Sequence, residues 1–160
     1  MFKLEFGIVH RGCLVNELSR AVPKIRFICP GGFILGPSST EEILAIDKPD
    51  EGDVQAVMGY LKGSPGIAEA EVVERTPDKA FIRILTSANP EGFCSEAVAR
   101  NRCFRIGMEI QHGGVERWAV GSFERAQAEQ LLKDLAGLGE LKYHSISEVS
   151  WQALLEGQAP

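Results

Sequence analysis

The sequence predicts an α+β fold: two βαββαβ units in tandem, with antiparallel sheets and the helices on one face. Three observations predict it. Period-two and helix-period hydrophobic patterns follow one another as strand-helix-strand-strand-helix-strand, and that order then repeats. The halves also resemble each other: "GCLVNELSRAVPKIRF" lies over "GFCSEAVARNRCFRI", and "YLKGSPG" over "LLKDLAG". Finally, right-handed crossovers bring such split βαβ units to a four-stranded antiparallel sheet with two helices on one side. The same element order also suits a single larger sheet with helices on one side. Units at residues 1–76 and 77–150 follow, with a tail or linker at 151–160.

Each element has its own signal. "FKLEFGIVH" alternates, with Phe2, Leu4, Phe6 and Ile8 facing one way and Lys3 and Glu5 the other, so it is a half-buried strand. Leu14, Leu18, Ala21 and Val22 then take helical spacing, and Pro23 stops the helix. "KIRFIC" is a strand, "PGGFILGPSS" a loop and "EILAID" a strand. Asp50 and Asp53 open a helix at its positive end, with Val54, Val57, Met58 and Leu61 as the buried stripe. "GSPG" ends that helix and "IAEAEVVER" is a strand with a solvated acidic face. The join falls near "TPDK".

In the second half "KAFIRILTSA" is a strand and "PEGFCSEAVARN" a short helix with Pro90 near its start. "CFRIGMEIQH" alternates through Phe104, Ile106, Met108 and Ile110, and His112-Gly113-Gly114 makes the hairpin turn to "VERWAVGS". Ser122 caps a helix whose stripe is Ala128, Leu131, Leu132, Leu135 and Leu138. "LKYHSISEV" is the last strand, and "WQALLEGQAP" a short helical tail or the start of a linker.

Composition narrows the function. With 44% apolar and 24% charged residues over 160 positions, the chain builds a packed core as one ordinary domain or two small fused ones. No run of eighteen apolar residues exists, so no membrane-spanning helix is expected. The start "MFKLEFGIVH" alternates and carries Glu5, unlike a signal peptide, so a cytoplasmic location is expected. Net charge is −5 and the densest basic cluster is Arg100, Arg102 and Arg105, so direct DNA binding by this chain is not expected. The four cysteines form no CxxC pair, which removes the zinc-ribbon and thioredoxin readings. GxSxG, HExxH, P-loop and GxGxxG patterns are absent, and the expectation is a protein that is not an enzyme. Trp118 and Trp151 read as packing anchors.

The candidate chemistry sits at two strand-to-helix turns, "HRGCL" and "NPEGF". They resemble the ligand turn of ACT domains, which often reads Asp-Arg-Pro-Gly-hydrophobic-Leu. The matching positions are His10, Arg11, Gly12, Cys13 and Leu14 in the first half, and Asn89, Pro90, Gly92 and Phe93 in the second. The resemblance implies ferredoxin-like halves and a small-effector site at His10, Arg11, Gly12, Cys13, Asn89 and Gly92. Free N–H groups at a helix start attract a carboxylate, and glycine permits close approach. A glycine needed only for the bend explains the same pattern.

Cys13 and Cys94 fall in the first turn of corresponding helices, where a thiol pKa is lowered. His10, three residues before Cys13, gives a second reading: a metal or redox sensor with His10, Cys13 and Cys94 as ligands of a transition metal such as zinc, copper or iron. His10 and His112 share the inward phase at their strand ends. Against this stands cysteine as a small buried hydrophobe and histidine as a core rim.

The stretches "HRGCLVNELSRAVPKIRF", "GVERWAVGSFERAQAEQLLKDL" and "LKYHSISEVSWQ" together resemble the N-terminal domain of archaeal bacterio-opsin-activator-type transcription regulators. In that family a sensing region precedes a C-terminal helix-turn-helix. The resemblance implies a domain that binds a small effector and reaches DNA only through an attached helix-turn-helix, which is absent from this chain. Exposed sheet edges favour a homodimer.

Overall fold

A computed structural model of the chain describes residues 1–36, 39–87 and 92–156. The elements are β1 (Phe2–His10), α1 (Leu14–Ala21), β2 (Phe27–Gly36), β3 (Ser39–Asp47), α2 (Glu51–Gly63), β4 (Ile67–Arg75) and β5 (Lys79–Thr86). They continue as α3 (Cys94–Arg100), β6 (Phe104–Arg105), β7 (Glu109–His112), β8 (Val115–Ser122), α4 (Arg125–Leu138), β9 (Gly139–Glu148) and α5 (Trp151–Glu156). The class is α+β.

All strands join one antiparallel sheet in the order β4-β5-β3-β2-β7-β8-β1-β9, with β6 paired to β8. This is the single larger sheet, and its order is not that of two separate sheets cut at residue 76. β1 lies between β8 and β9, and β5 lies between β3 and β4. Each wing of the sheet therefore takes strands from both halves of the sequence. The wings meet where Phe27, Ile28 and Cys29 of β2 pair with β7. "TPDK" is the tight β4–β5 hairpin, in which the Thr76 N–H donates to the Lys79 carbonyl at 2.9 Å.

One row of directly opposed residues crosses the sheet: Ala80, Ile46, Phe27, Gln111, Glu116, Ile8 and Leu141. Opposed residues share a face. At one end Phe27 and Ile46 pack in a core with Leu18 of α1 and Val57 and Leu61 of α2. At the other, Ile8 packs with Ala97 of α3 and Leu131 and Leu135 of α4. The two helix pairs therefore cover one face of a common sheet, each over its own apolar core. Only the middle of the row, Gln111 and Glu116, is polar, and it lies at the seam. The opposite face carries ion pairs such as Arg83 with Glu41, Glu69 and Glu71.

Several local expectations are refined. Asp50 caps α2, with Asp53 N–H donating to Asp50 Oδ1 at 2.7 Å and Asp50 N–H returning to Asp53 Oδ2 at 3.1 Å. Ser122 is not the cap of α4: Glu124 holds that position, and Ser122 Oγ donates to the Glu124 carbonyl instead. "PGGFILG" is not a loop but the outer half of β2, paired with β3. Its Phe33 is 71% exposed, so periodicity had no buried face to reveal.

"CFRIGMEIQH" is not one strand. Gly107 takes φ 73°, which breaks it into β6 and β7. The inward phase flips at that break: Met108 is 56% exposed, while Glu109 and Gln111 are buried. His112 consequently does not share His10's inward face, because the neighbouring Gln111 does.

The end of β1 is anchored against the α4–β9 junction. His10 pairs with Gly139, and the Arg11 N–H donates to the Leu138 carbonyl at 3.1 Å. A Cβ on Gly139 would collide with the Val9 carbonyl oxygen, which belongs to a rigid backbone. Gly139→Ala should therefore destabilise the fold by about 1–3 kcal/mol, the usual range for forced overpacking. Urea unfolding measures this, and an unchanged midpoint would contradict the crowding.

Candidate functional site

The site grows from Glu116, whose inward direction follows from its phase with Trp118 and Val120 on β8. Its carboxylate is 3% exposed as a residue and has two partners. Oε1 accepts from the Trp118 indole N–H at 2.6 Å, and Oε2 lies 3.1 Å from His10 Nδ1. The other ring nitrogen, His10 Nε2, donates to the Gly92 carbonyl at 3.1 Å. Cys94, at the first turn of α3, places Sγ 3.6 Å from His10 Nδ1. Burial pulls the His10 pKa down, but the Glu116 hydrogen bond and charge, with the Gly92 carbonyl, outweigh it and raise the pKa. His10 and Glu116 are thus a buried, hydrogen-bonded pair.

The two turns that deliver these groups share one device. Gly12 has φ 69° and Gly92 has φ 87°, left-handed values that favour glycine, and each precedes a helix. The turns come from different sequence halves, yet the β1 position between β8 and β9 sets the first beside the second.

A cavity of about 70 Å³ opens beside this cluster, between the starts of α1 and α3 and over the seam. It is large enough for more than one water-sized group. His10, Gly12, Cys13, Cys94, Glu42, Glu109 and Glu116 contribute to its wall. Gln111 Nε2 donates to Glu109 Oε1 at 2.8 Å, and Asn16 Nδ2 donates to Gln111 Oε1 at 3.0 Å. Arg105 stands on the β6 side, 5.2 Å over the Trp118 ring, donating to the Cys29 carbonyl at 3.1 Å.

Three carboxylates without enough cations cannot all ionise cheaply in such a place. Glu42 is pushed up to about 7 by burial, with the Glu116 charge adding to it and the Thr40 hydroxyl and Arg105 opposing. Glu109 is driven well up by burial and by the charges of Glu116 and Glu42.

The residues expected from sequence separate into groups. His10, Gly12 and Cys13 line the cavity, and the Gly92 carbonyl accepts from His10 behind it. Arg11 points elsewhere, to the Gly137 carbonyl at the end of α4. Asn89 lies outside the described residues. Among the described residues the compact set of soft and hard donors is His10, Cys94 and Glu116, whose ligand atoms all lie within 4.8 Å of one another. Cys13 is not in that set; its thiol is near Gln111 Nε2, at 3.9 Å.

The expected lowering of the Cys13 and Cys94 pKa values is overturned. Burial raises both, and the Glu116 charge raises them further, which outweighs the helix start. Glu42, Glu109, Gln111 and Glu116 belong to no motif of the sequence. The signal for Glu116 was its phase in "VERWAV", and for Glu42 its phase with Leu44 and Ile46. No such signal existed for Glu109 and Gln111, because their face depends on the Gly107 break.

The model of one protein family, described as HVO_2525_N, N-terminal, matches residues 3–140. No curated protein and no solved structure matches the chain. No described helix is long and apolar enough to cross a membrane.

The Glu42 shift carries a pH prediction. Between its ordinary 4.5 and about 7 the folded protein keeps a proton that the unfolded chain has released. That contribution is complete below pH 4.5 and is lost as pH rises through 7. At most it is on the order of 3 kcal/mol. Urea midpoints across this window should fall with pH in the wild type and fall less in Glu42→Gln. An equal slope in both would contradict the assignment.

Proposed function

The chain belongs to the HVO_2525_N N-terminal family, and from that premise we propose that it is a ligand-sensing regulatory domain. On this reading it is a binding module rather than an enzyme. It holds a small cationic effector in the seam cavity and signals to an attached helix-turn-helix module that alone touches DNA. The carrying observation is the convergence of Glu42, Glu109 and Glu116 on one cavity that also meets the starts of α1 and α3. A cation there contacts both wings of the sheet, so it favours whichever arrangement of the wings closes best around it.

Two further features support the reading. The family's description as N-terminal suits a sensing region that precedes another module, as does the resemblance to bacterio-opsin-activator-type regulators. There is also a path outward. Arg105 walls the cavity system, and the adjacent Phe104 stacks on Trp151 of α5 with centroids 5.9 Å apart and an interplanar angle of 12°. Phe123 joins the same group, 5.8 Å from Trp151. On this reading a ligand that shifts Arg105 is felt at the last described helix through Phe104.

We also read the two wings as ACT-like βαββαβ units, 1–76 and 77–150, that have exchanged first strands. β5 occupies the place in the β2-β3-β4 wing that β1 would take, and β1 does the same among β7, β8 and β9. The outer strands β4 and β9 are the edges through which a homodimer of an archaeal cytoplasmic regulator would form.

Thermal unfolding with a panel of organic cations and divalent metals tests the site. Ligand at a hundredfold excess over its Kd adds about 2.7 kcal/mol, or a rise of roughly 5 °C or more for a chain of this size. Glu109→Gln should reduce that rise. A panel without any shift would contradict the reading.

A further inference from the structure

We propose that the His10–Cys94–Glu116 cluster is a binding site for a soft divalent transition metal of the zinc and cobalt class, with an open coordination position facing the cavity. The inference rests on the sensing reading and names the ligand of that site.

The donor set carries it. An imidazole nitrogen, a thiol sulfur and a carboxylate oxygen come from three elements and lie within 4.8 Å of one another, all buried. In a tetrahedral zinc site with ordinary bond lengths, neighbouring ligand atoms stand roughly 3.3–3.6 Å apart. The Nδ1–Oε2 separation is 3.1 Å and the Sγ–Nδ1 separation is 3.6 Å, both close to those values.

The surroundings match as well. His10 Nε2 donates to the Gly92 carbonyl, which leaves Nδ1 as the coordinating nitrogen and fixes the ring plane. Glu116 is oriented by the Trp118 N–H. Such outer contacts are what hold metal-binding histidines and carboxylates in place. Three protein ligands leave a fourth position, the arrangement of sites that take an exogenous group. Here that position meets the cavity, where Glu42 and Glu109 present further carboxyl oxygens.

Binding forms Nδ1–metal, Sγ–metal and O–metal bonds. The Cys94 thiol proton and the imidazole Nδ1 proton leave to solvent, with no change of oxidation state. A thiolate is a better ligand for a soft ion than for magnesium or calcium, which sets the class.

Cobalt(II) is the probe. Titrated into chelator-treated, reduced full chain, it should give one equivalent of a sulfur-to-cobalt charge-transfer band with intense visible bands of four-coordinate cobalt. Zinc should displace it. Cys94→Ser should abolish the charge-transfer band, and His10→Gln should weaken cobalt binding at least tenfold. Cys103→Ser, a buried thiol outside the cluster, should keep the full spectrum; circular dichroism checks that each variant is folded. Absence of the charge-transfer band in the wild type, or its survival in Cys94→Ser, overturns the metal site. A thermal shift with organic cations in a wild type that gives no charge-transfer band upholds the sensing reading while sinking this one. No response to either metals or organic cations sinks both.

Discussion

The structure turns on one buried carboxylate. Glu116 sits beside Gln111 in the middle of a row whose other members are apolar, and both of its oxygens are held: one by Trp118, the other by His10. A buried carboxyl left without a hydrogen-bond partner in such a place is costly, so the site demands one. His10 supplies it only because β1 runs beside β8, and its ring is aimed only because the Gly92 carbonyl receives Nε2. Three segments far apart in sequence are thus tied by one carboxyl.

That tie explains why the two apolar cores remain distinct. The α1–α2 core and the α3–α4 core share a sheet, but Gln111 and Glu116 interrupt them at the seam. The cavity opens at this polar seam, between the starts of α1 and α3. The Asn16–Gln111–Glu109 chain of hydrogen bonds lines one wall, with Arg105 over Trp118 facing it. A space walled by both wings is where a ligand has most leverage on their arrangement. A buried polar network of this kind adds little net stability compared with an apolar core.

The class and most elements were legible in the sequence, because each rests on local periodicity. Leu4, Phe6 and Ile8 announce β1, and Asp50 with Asp53 announces α2. Strand neighbours were not legible. Placing β1 beside β8 rather than β3 depends on pairings more than a hundred residues apart, and alternation is the same whichever partner is chosen. The site was half legible. His10, Cys13, Cys94 and Gly92 stood out as residue types at turns. Glu109 and Gln111 were hidden by the phase change at Gly107, and Arg11 was misplaced because only the α4 terminus reveals its partner.

The dependence on one buried pair is open to a direct measurement: a double-mutant cycle of His10→Gln and Glu116→Gln, read by urea unfolding at neutral pH. The account predicts a coupling of about 1–3 kcal/mol, with the double variant losing less than the sum of the single ones. Additive losses would mean that His10 and Glu116 are independent neighbours, and the seam would then be organised by something else.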